Sequence, residues 1–589
     1  MAAARETTFP KLRHIALSFA QLPGAEALLV PAAGTAASAG GGQTSQTAAG
    51  GEAGTGDGRA AEGAAAGTAG TPEARGPQTA AGGNSPPAPT ALPRVATLDV
   101  SLPGSPSEEC RSIDGAPVAV RCVNSLEGRK SAGDAAAAAT QAGDAVLLAG
   151  LDRWYRLGPE GAGFCRSCEL GLVEELRESY GDHVQPFDAL AGMREPGVPA
   201  RERPFARQRE AGRFSETIEA GKRVVLRARD EARRTRGTEM AVLGRVGTLS
   251  PAALALCRHL DGLVFELPSL DPYEALLPLF AARAALGQRP AVALPPPGAT
   301  EAQVRLFAGL AAASDADLLL PSGASAAAEA ALAAHRRFLA LVRERYRPSE
   351  PLLDAEVLLS PLCDHWTAGA HWKAAGNAVA ALSRLHLQPG VRLELAAAPR
   401  TQLLVLAGCS ALGAREATAA RRHVEGGGDV LQVGRCAAID DEGRQGDAVF
   451  PEVKSGLERV GEGRVLAIDE DADLAALQRT ARELLGRGRA HLSLSGRAQI
   501  VARAYLDPER KLDVHLVNCD LRDGTLVPGQ GVQLFIAGQA AGGGRAGYWF
   551  SPEREGGRDG ERIVLNPSGF SVSTVLPAIG AHALLAVPR

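Results

Sequence analysis

The chain has 589 residues, of which 45% are apolar and 22% are charged, a composition typical of a globular protein with about three or four domains. Its formal net charge of −4 gives no general attraction to nucleic acid, and it lacks the run of about 18 apolar residues that would predict a membrane span. The nine cysteines are scattered and odd in number, which favours a reducing compartment, and we expect a cytoplasmic protein.

Residues 31–95 consist almost entirely of Ala, Gly, Thr, Ser, Pro and Gln. The segment has no hydrophobic period, so apolar burial would not offset the entropy lost on ordering it. We therefore predict a disordered insertion, preceded by a strand at 25–31 and followed by a strand at 95–102.

Short apolar runs alternate with helical patterns between about 96 and 345. The predicted strands are 117–124, 144–149, 240–246, 261–267, 290–294 and 317–321. The predicted helices between and after them are 169–180, 216–236, 250–259, 273–287, 301–313 and the Ala-rich 325–345. Repeated strand and helix units are typical of a parallel sheet, and six to eight of them would close a (β/α)8 barrel. Residues 1–345 are therefore predicted to form a TIM-like barrel that carries the insertion.

Two further domains follow the prolines at 348 and 351. Strands at 355–360, 391–395, 402–407 and 429–433, with helices at 371–387 and 414–424, predict a doubly wound α/β domain over 352–480. From 488 to 589, runs of alternating apolar and polar residues are separated by turns rich in Gly, Pro and Asp. That pattern predicts an antiparallel β-sandwich.

Four stretches, taken in order, carry a resemblance to a known family. They are FCRSCELGLVEELRESYG (164–181), LDGLVFELP (260–268), AEVLLSP with LLVLAGCSALG and HVEGGGDVLQVG, and LDVHLVNCD (512–520). This order resembles the bacterial β-galactosidases of glycoside hydrolase family 42 and their glycosyl-hydrolase-like relatives. The resemblance implies a glutamine-amidotransferase-like trimerisation domain over 352–480. It also implies a carbohydrate ligand in the barrel mouth and a homo-oligomer, with a trimer expected.

Family members that cleave glycosides use an acid/base carboxyl and a nucleophilic carboxylate at the ends of barrel strands. The Asn-Glu pair of the family's acid/base is absent from LLAGLDRWYR (147–156), where Asp152 is the nearest carboxylate. The strand comparable with the family's nucleophile strand, PAVALPPPG (290–298), has no carboxylate. Glu266 ends another predicted strand, so Glu266 and Asp152 are the candidate catalytic residues. The structural alternative for Glu266 is an ion pair with Arg245.

Five residues are candidate contacts to the substrate: Trp154, Tyr155, Arg245, His365 and Trp366. Trp154 and Tyr155 could stack on the apolar face of a sugar, because flat C–H surfaces pack well on aromatic rings. The alternative for the aromatic residues is ordinary packing: a loop anchor at 154–155, and the loop and helix start of the second domain at 365–366.

Cys165 and Cys168 have the C-x2-C spacing that allows two thiolates to reach one zinc ion. Some members of the resembled family bind structural zinc in this region, and Cys110, Cys122 or His183 would have to complete a tetrahedral set. The alternative is a thiol pair without metal, and the chemistry itself requires no cofactor. Cys409 follows a predicted strand as a glutaminase nucleophile would, but AGCSALG lacks the second glycine of a nucleophile elbow.

Two hypotheses of different classes follow. The first is a glycoside hydrolase-like protein that acts on a carbohydrate in the barrel mouth, an O-glycosyl hydrolase if it is active, with a degenerate carboxylate pair. The second is a catalytically inactive carbohydrate-binding or scaffold protein, because fold does not determine function. An amidotransferase-like enzyme is a third and less favoured hypothesis.

Overall fold

The computed structural model describes residues 95–181, 205–342, 350–396, 399–439, 445–486, 490–496, 499–507, 511–553 and 560–588. The predicted strand at 25–31, the predicted insertion up to residue 94 and the candidate zinc ligand His183 lie outside these residues. In the part of the chain that the structure describes, no helix has both the length and the apolar character needed to cross a membrane.

The first region is built from strand and helix units. Its strands are β1 (Val95–Asp99), β2 (Glu109–Arg111), β3 (Pro117–Arg121), β4 (Ala145–Ala149), β5 (Ala241–Arg245), β6 (Gly262–Glu266), β7 (Ala291–Leu294) and β8 (Asp317–Leu318). Its helices are α1 (Leu126–Ala142), α2 (Arg153–Arg156), α3 (Gly158–Gly161), α4 (Arg166–Tyr180), α5 (Ala206–Arg236), α6 (Pro251–Leu256), α7 (Leu276–Leu286), α8 (Glu301–Ala313) and α9 (Ala326–Val342).

Six of these strands form one parallel sheet in the order β1-β4-β5-β6-β7-β8, while β2 and β3 form a separate antiparallel hairpin. Val146, Leu147 and Leu148 of β4 are fully buried, as expected where both faces of a parallel sheet are covered. Within the described residues the sheet supplies six of the eight strands predicted for the barrel, and β8 is not paired with β1 there. Because all six strands are parallel, their carboxyl ends lie along one edge of the sheet.

The second region is a doubly wound sheet. Its strands are β10 (Ala355–Leu358), β11 (Pro389–Arg392), β12 (Leu403–Ala407), β13 (Leu412–Gly413), β14 (Asp429–Val433), β15 (Ala437–Ile439), β16 (Gln445–Ala448), β17 (Gly456–Val460) and β18 (Gly463–Ile468). Its helices are α10 (Pro361–Trp366), α11 (Ala370–Arg384), α12 (Ala414–Glu425) and α13 (Leu474–Leu485). The main sheet has the order β11-β10-β12-β14-β18-β17, parallel except for β17, and a small sheet joins β13, β15 and β16. Its strand order reverses between β10 and β12, which is where doubly wound sheets place ligands.

The third region is antiparallel. Its strands are β19 (Leu492–Ser495), β20 (Ile500–Leu506), β21 (Leu512–Asn518), β22 (Leu521–Arg522), β23 (Thr525–Leu526), β24 (Gln533–Ala537), β25 (Ala546–Phe550), β26 (Glu561–Val564), β27 (Asn566–Ser568), β28 (Ser571–Val575) and β29 (His582–Val587), with a short helix α14 (Gly538–Ala541). One sheet has the order β19-β24-β28-β27 and the other β26-β25-β29-β21-β20-β9, where β9 (Glu350–Pro351) comes from the segment before the second region. Leu534 and Ile536 of one sheet share a buried cluster with Val514 and Leu585 of the other, as in a β-sandwich.

Side chains from the third region reach both of the others. The Tyr505 hydroxyl donates to the Ala313 carbonyl at 2.6 Å. The Arg503 guanidinium donates to the Pro389 carbonyl and lies 4.3 Å from the centroid of the Phe280 ring. These contacts hold β20 against α7 and α8 of the first region and β11 of the second.

Candidate functional site

Four strands of the parallel sheet end at a cleft of about 450 Å³, which we name the sheet-end cleft. Asp99 ends β1, Arg245 ends β5 and Glu266 ends β6, and Asp152 follows β4. All four line this cleft, together with Arg153 and Arg156 on its wall, among others. The carboxyl edge of such a sheet is where barrel enzymes carry their active sites. The structure thus brings together three of the sequence-predicted residues: Glu266, Asp152 and Arg245.

The two candidate carboxyl groups lie in opposite environments. Glu266 is exposed, whereas Asp152 is 2% exposed. The Ser250 hydroxyl donates to Asp152 Oδ2 at 2.7 Å, and burial raises the pKa of the Asp152 carboxyl. Ser250 is itself fixed, because its Oγ accepts from the Ala253 N–H and caps α6. Asp152 is therefore a rigid, partly desolvated acid beside an exposed carboxylate.

A second cleft of about 400 Å³ adjoins the first and shares Glu266 with it. We name it the inter-region cleft, because residues of α10, α11 and their connecting loop form one wall and the sheet edge forms the other. Tyr155, Asp364 and Trp372 line it. The Tyr155 hydroxyl lies 2.9 Å from His365 Nδ1, which links the wall from the first region to the wall from the second.

Three predicted substrate contacts line neither of the two clefts. Trp154 is 2% exposed and packs into a buried cluster with the cysteines near α4. His365 is 6% exposed and stacks on Phe214 with ring centroids 5.0 Å apart. Trp366 is half-buried against His365, with ring centroids 5.0 Å apart. Of the predicted aromatic contacts, Tyr155 alone lines one of these two clefts, and His365 contacts the Tyr155 hydroxyl from behind it.

Asp364 is a cleft residue that the sequence analysis did not single out. Its carboxyl group is 4% exposed, and Oδ1 accepts from the Trp372 N–H at 2.7 Å, which caps the first turn of α11 in place of Gly369. Burial raises the pKa of the Asp364 carboxyl to about 6. The signal in the sequence was an Asp eight residues before a Trp in DHWTAGAHW, and that signal indicates a helix cap more readily than a site.

Two further cysteines lie beside Cys165 and Cys168, the pair predicted to bind metal. Cys110 of β2, Cys122 after β3, Cys165 and Cys168 place their four sulfur atoms within 4.8 Å of one another. The Gly163 N–H donates to Cys110 Sγ at 2.9 Å, and Asn124 Nδ2 lies 3.5 Å from Cys168 Sγ. Four thiols with N–H donors around them fit a tetrahedral zinc or iron site made of cysteine ligands alone. Of the candidate additional ligands, Cys110 and Cys122 are both present in the cluster.

The switch point of the second region carries Cys409, His371 and Glu416, which need testing as a glutaminase-like set. His371 Nδ1 lies 2.8 Å from the Ala407 carbonyl, and Nε2 accepts from the Ser360 N–H at 3.0 Å. Both ring nitrogens are therefore held by main chain in a neutral imidazole. Cys409 is fully buried, and burial raises the pKa of its thiol. Such a thiol has neither an available base nor access to substrate, so the arrangement does not support nucleophilic catalysis.

No protein-family model matches the chain, and no curated protein matches it either. Solved structures do. A β-galactosidase from Bacillus circulans sp. alkalophilus is similar with a TM-score of 0.60 and 11% identity, over 84% of this chain and 88% of that one. Gan42B, a GH42 β-galactosidase from G. stearothermophilus, is similar with a TM-score of 0.58 and 10% identity, over 82% of this chain and 86% of that one. An α-L-fucosidase from Paenibacillus thiaminolyticus is similar with a TM-score of 0.57 and 13% identity, over 84% of this chain and 87% of that one.

These likenesses establish the fold and confirm, at that level, the resemblance to glycoside hydrolase family 42 predicted from the sequence. The chain has the fold of glycoside hydrolases with a TIM barrel followed by further domains. The similar structures include family 42 β-galactosidases, at identities that place the chain far from each of them in sequence.

Proposed function

We propose that the protein binds a carbohydrate at the sheet-end and inter-region clefts and hydrolyses a glycosidic bond there. The observation that carries the proposal is the pairing of an exposed carboxylate, Glu266, with a buried carboxyl group, Asp152, on the wall of one cleft. Glycoside hydrolysis needs one ionised carboxylate and one carboxyl group that holds its proton, and contrasting environments produce that difference.

In this proposal Glu266 faces the anomeric carbon, and Asp152 gives its proton to the leaving oxygen. The glycosidic C–O bond breaks with its electron pair on that oxygen. A water molecule supplies the hydroxyl group that the sugar gains, and the remaining proton of that water returns to Asp152. Arg245 binds sugar hydroxyls from the end of β5, and Tyr155 offers the one predicted aromatic ring that lines these two clefts. His365 holds the Tyr155 hydroxyl. Trp154 and Trp366 support this wall by packing.

A panel of aryl glycosides tests the activity. We expect turnover of at least one member by the wild type, and a loss of about 100-fold or more in Glu266→Gln and in Asp152→Asn. Glu127→Gln, an exposed carboxylate in the first turn of α1, is the matched control and should behave as wild type. Turnover that survives Glu266→Gln would refute the assignment.

The second candidate function is a catalytically inactive carbohydrate-binding protein. It is favoured by β7, which runs from Leu294 straight into prolines and offers no carboxylate where the resembled family carries its nucleophile. Calorimetry separates the two candidates. Sugar binding without turnover of any glycoside supports the inactive form, and the absence of both binding and turnover would overturn both candidates.

We further propose that the four-thiol cluster holds a structural zinc ion. The ion would cross-link the β2–β3 hairpin to the start of α4 and would take no part in the reaction. The metal content of purified protein, measured by mass spectrometry, should approach one zinc per chain.

Thiolate ligands survive only where thiols stay reduced, which supports a cytoplasmic location. All nine cysteines are free.

The doubly wound strand order supports the proposal that 352–480 is an amidotransferase-like trimerisation domain and that the protein forms a homotrimer. Light scattering on the full chain should give three times the mass of 60.8 kDa. A clean monomer would refute the proposal.

A further inference from the structure

Two buried guanidinium groups lie beside the four-thiol cluster. Arg209 and Arg213 are 5% and 2% exposed, and their spacing places them on one face of α5. Their Cζ atoms lie 5.9 Å and 5.4 Å from the Trp154 ring centroid. The same Trp154 ring belongs to the buried cluster that contains Cys110, Cys122 and Cys168. The indole thus contacts both cations and belongs to the same buried cluster as the cysteines.

Each arginine is bonded to the main chain around the cluster. Arg209 Nη2 donates to the Gly163 carbonyl, and the Gly163 N–H donates to Cys110 Sγ. Gly163 has a φ of 95°, and a side chain there would overlap the Arg209 guanidinium, so this contact requires glycine. Arg213 Nη2 donates to the Tyr155 carbonyl at 2.8 Å. One cation therefore touches the metal-site loop, and the other touches the segment that places Tyr155 in the inter-region cleft.

Neither guanidinium forms an ion pair within the described residues, and the carboxylates of Glu175 and Glu210 act on Arg209 and Arg213 from a longer distance. No carboxylate there lies within 4.0 Å of either guanidinium, and Arg213 Nε is buried without a hydrogen-bond partner. Burial and, to a lesser extent, the adjacent Arg209 lower the pKa of Arg213 to about 10, against weaker opposing effects of Tyr155, Glu210 and Cys110. A buried charge without a close counter-charge is destabilising, so two such charges side by side indicate that a further negative group belongs nearby.

We propose that Arg209 and Arg213 are the counter-charges of a divalent metal ion bound by four thiolates, and that Arg213 links metal binding to the position of Tyr155. One M²⁺ and four cysteine thiolates carry a net charge of −2, and two guanidinium groups neutralise it. Binding the ion to four thiols releases four protons to solvent and involves no oxidation. With the thiols protonated and the metal absent, neither positive charge has a carboxylate at ion-pair distance within the described residues. The inference rests on the proposed metal site and is independent of the proposed hydrolysis.

Two consequences distinguish this role from simple packing. Removing one cation should weaken zinc binding, since the dianionic centre loses a counter-charge. The same change should stabilise the metal-free protein against unfolding, because the metal-free variant then has one uncompensated buried charge fewer. A residue that only packs would destabilise both forms alike.

The experiment compares Arg213→Met and Arg209→Met with wild type. The control is Arg234→Met on the same helix, where Arg234 is exposed and paired with Glu231. Zinc affinity is measured by competition with a chromophoric chelator, and urea unfolding is measured with and without zinc. We expect Arg213→Met to lower zinc affinity by about 10- to 100-fold, the range typical of outer-shell partners. We expect its metal-free form to be at least as stable as the metal-free wild type, with Arg234→Met unchanged in affinity.

Three results decide the matter against the proposal. Unchanged zinc affinity in both Met variants would overturn it, and so would an equal loss of stability with and without zinc. A wild-type protein that binds no zinc would overturn it together with the proposed metal site. If the Met variants do not fold, hydrogen exchange on wild type replaces them. Zinc should then slow exchange at 153–165 and at 206–216, and unaltered exchange at 206–216 would overturn the proposal.

Discussion

Asp364 allows a stability prediction with a definite sign. Replacing it with Asn keeps the size of the side chain and an oxygen that can accept from the Trp372 N–H, but removes the ionisable group. Burial raises the pKa of this carboxyl from its ordinary 3.8 to about 6. The folded state therefore holds the proton more tightly than the unfolded state, and stability falls as the pH rises from about 4 to about 6 and is level above that.

The magnitude follows from the two pKa values. A difference of about two on the pKa scale corresponds to about 3 kcal/mol of destabilisation by the ionised group at pH 8, and to less than about 1 kcal/mol at pH 4. Charged groups do not offset this. Helix α10 packs against α6 and β13, which carry no ionisable side chains, and against α11, where His371 is held neutral and the other ionisable groups are Lys373 and Arg384. Arg384 lies over the Tyr273 ring, with Cζ 3.8 Å from the ring centroid. Glu266 and Tyr155 line the same cleft.

The assay is urea unfolding of wild type and Asp364→Asn at pH 4, 5 and 8. We expect the advantage of the variant to grow by about 2 kcal/mol from the lowest to the highest pH, whatever constant offset the amide adds. Asp473→Asn is the control, because Asp473 caps α13 through the Ala476 N–H from an exposed position. A difference that is constant with pH, or that shrinks as the pH rises, would show that burial does not penalise this carboxylate.

Three further changes have expected outcomes that urea or thermal unfolding can check. Gly150→Ala should cost about 2 kcal/mol, because φ is +74° and the new Cβ would lie 2.5 Å from Asp99 Oδ1; a neutral effect would contradict the cleft wall described above. Asp354→Ala should lower the free energy of unfolding by about 3 kcal/mol. The fully buried Asp354 carboxylate accepts from His491 Nδ1 at 2.6 Å and from the main-chain N–H of His491 at 2.9 Å. An equal loss in His491→Ala would agree with this. Tyr155→Phe should cost about 1 kcal/mol through the lost contact with His365, and no change would indicate that water replaces it.

Local patterns predicted the elements well where a short apolar run settles the structure. The run at 261–267 contains β6, and Glu266 at its end lies at the sheet edge as expected. The same reasoning did not separate Trp154 from Tyr155. Both lie in α2, where consecutive side chains point about 100° apart, so one faces the cleft and the other faces the interior. The packing position of α5 decides whether Trp154 or Tyr155 faces the cleft, and the sequence does not show that position.

The four-thiol cluster was likewise predicted only in the part that local sequence determines. The C-x2-C spacing predicted that Cys165 and Cys168 act together, because both lie at the start of one helix. Cys110 and Cys122 join them only because the β2–β3 hairpin folds over that helix start, and sequence distance contains no such information. Asp364 was missed for a related reason. Its cleft exists only where α10 meets the sheet edge of another region.

Strand β9 has a consequence for where the molecule can be divided. It precedes the doubly wound region in the chain but pairs with β20 at the edge of the sandwich sheet, through Tyr505 opposite Pro351. A fragment that starts near residue 488 would therefore leave the β20 edge with unpaired backbone groups, which is a template for intermolecular strand pairing. During synthesis, β9 leaves the ribosome long before β20, so the two strands cannot pair until the whole second region has been synthesised. The sandwich is thus a contiguous stretch of sequence but not an autonomous piece of structure, and a soluble version of it should need residues 350–352 supplied as a tethered or separate strand.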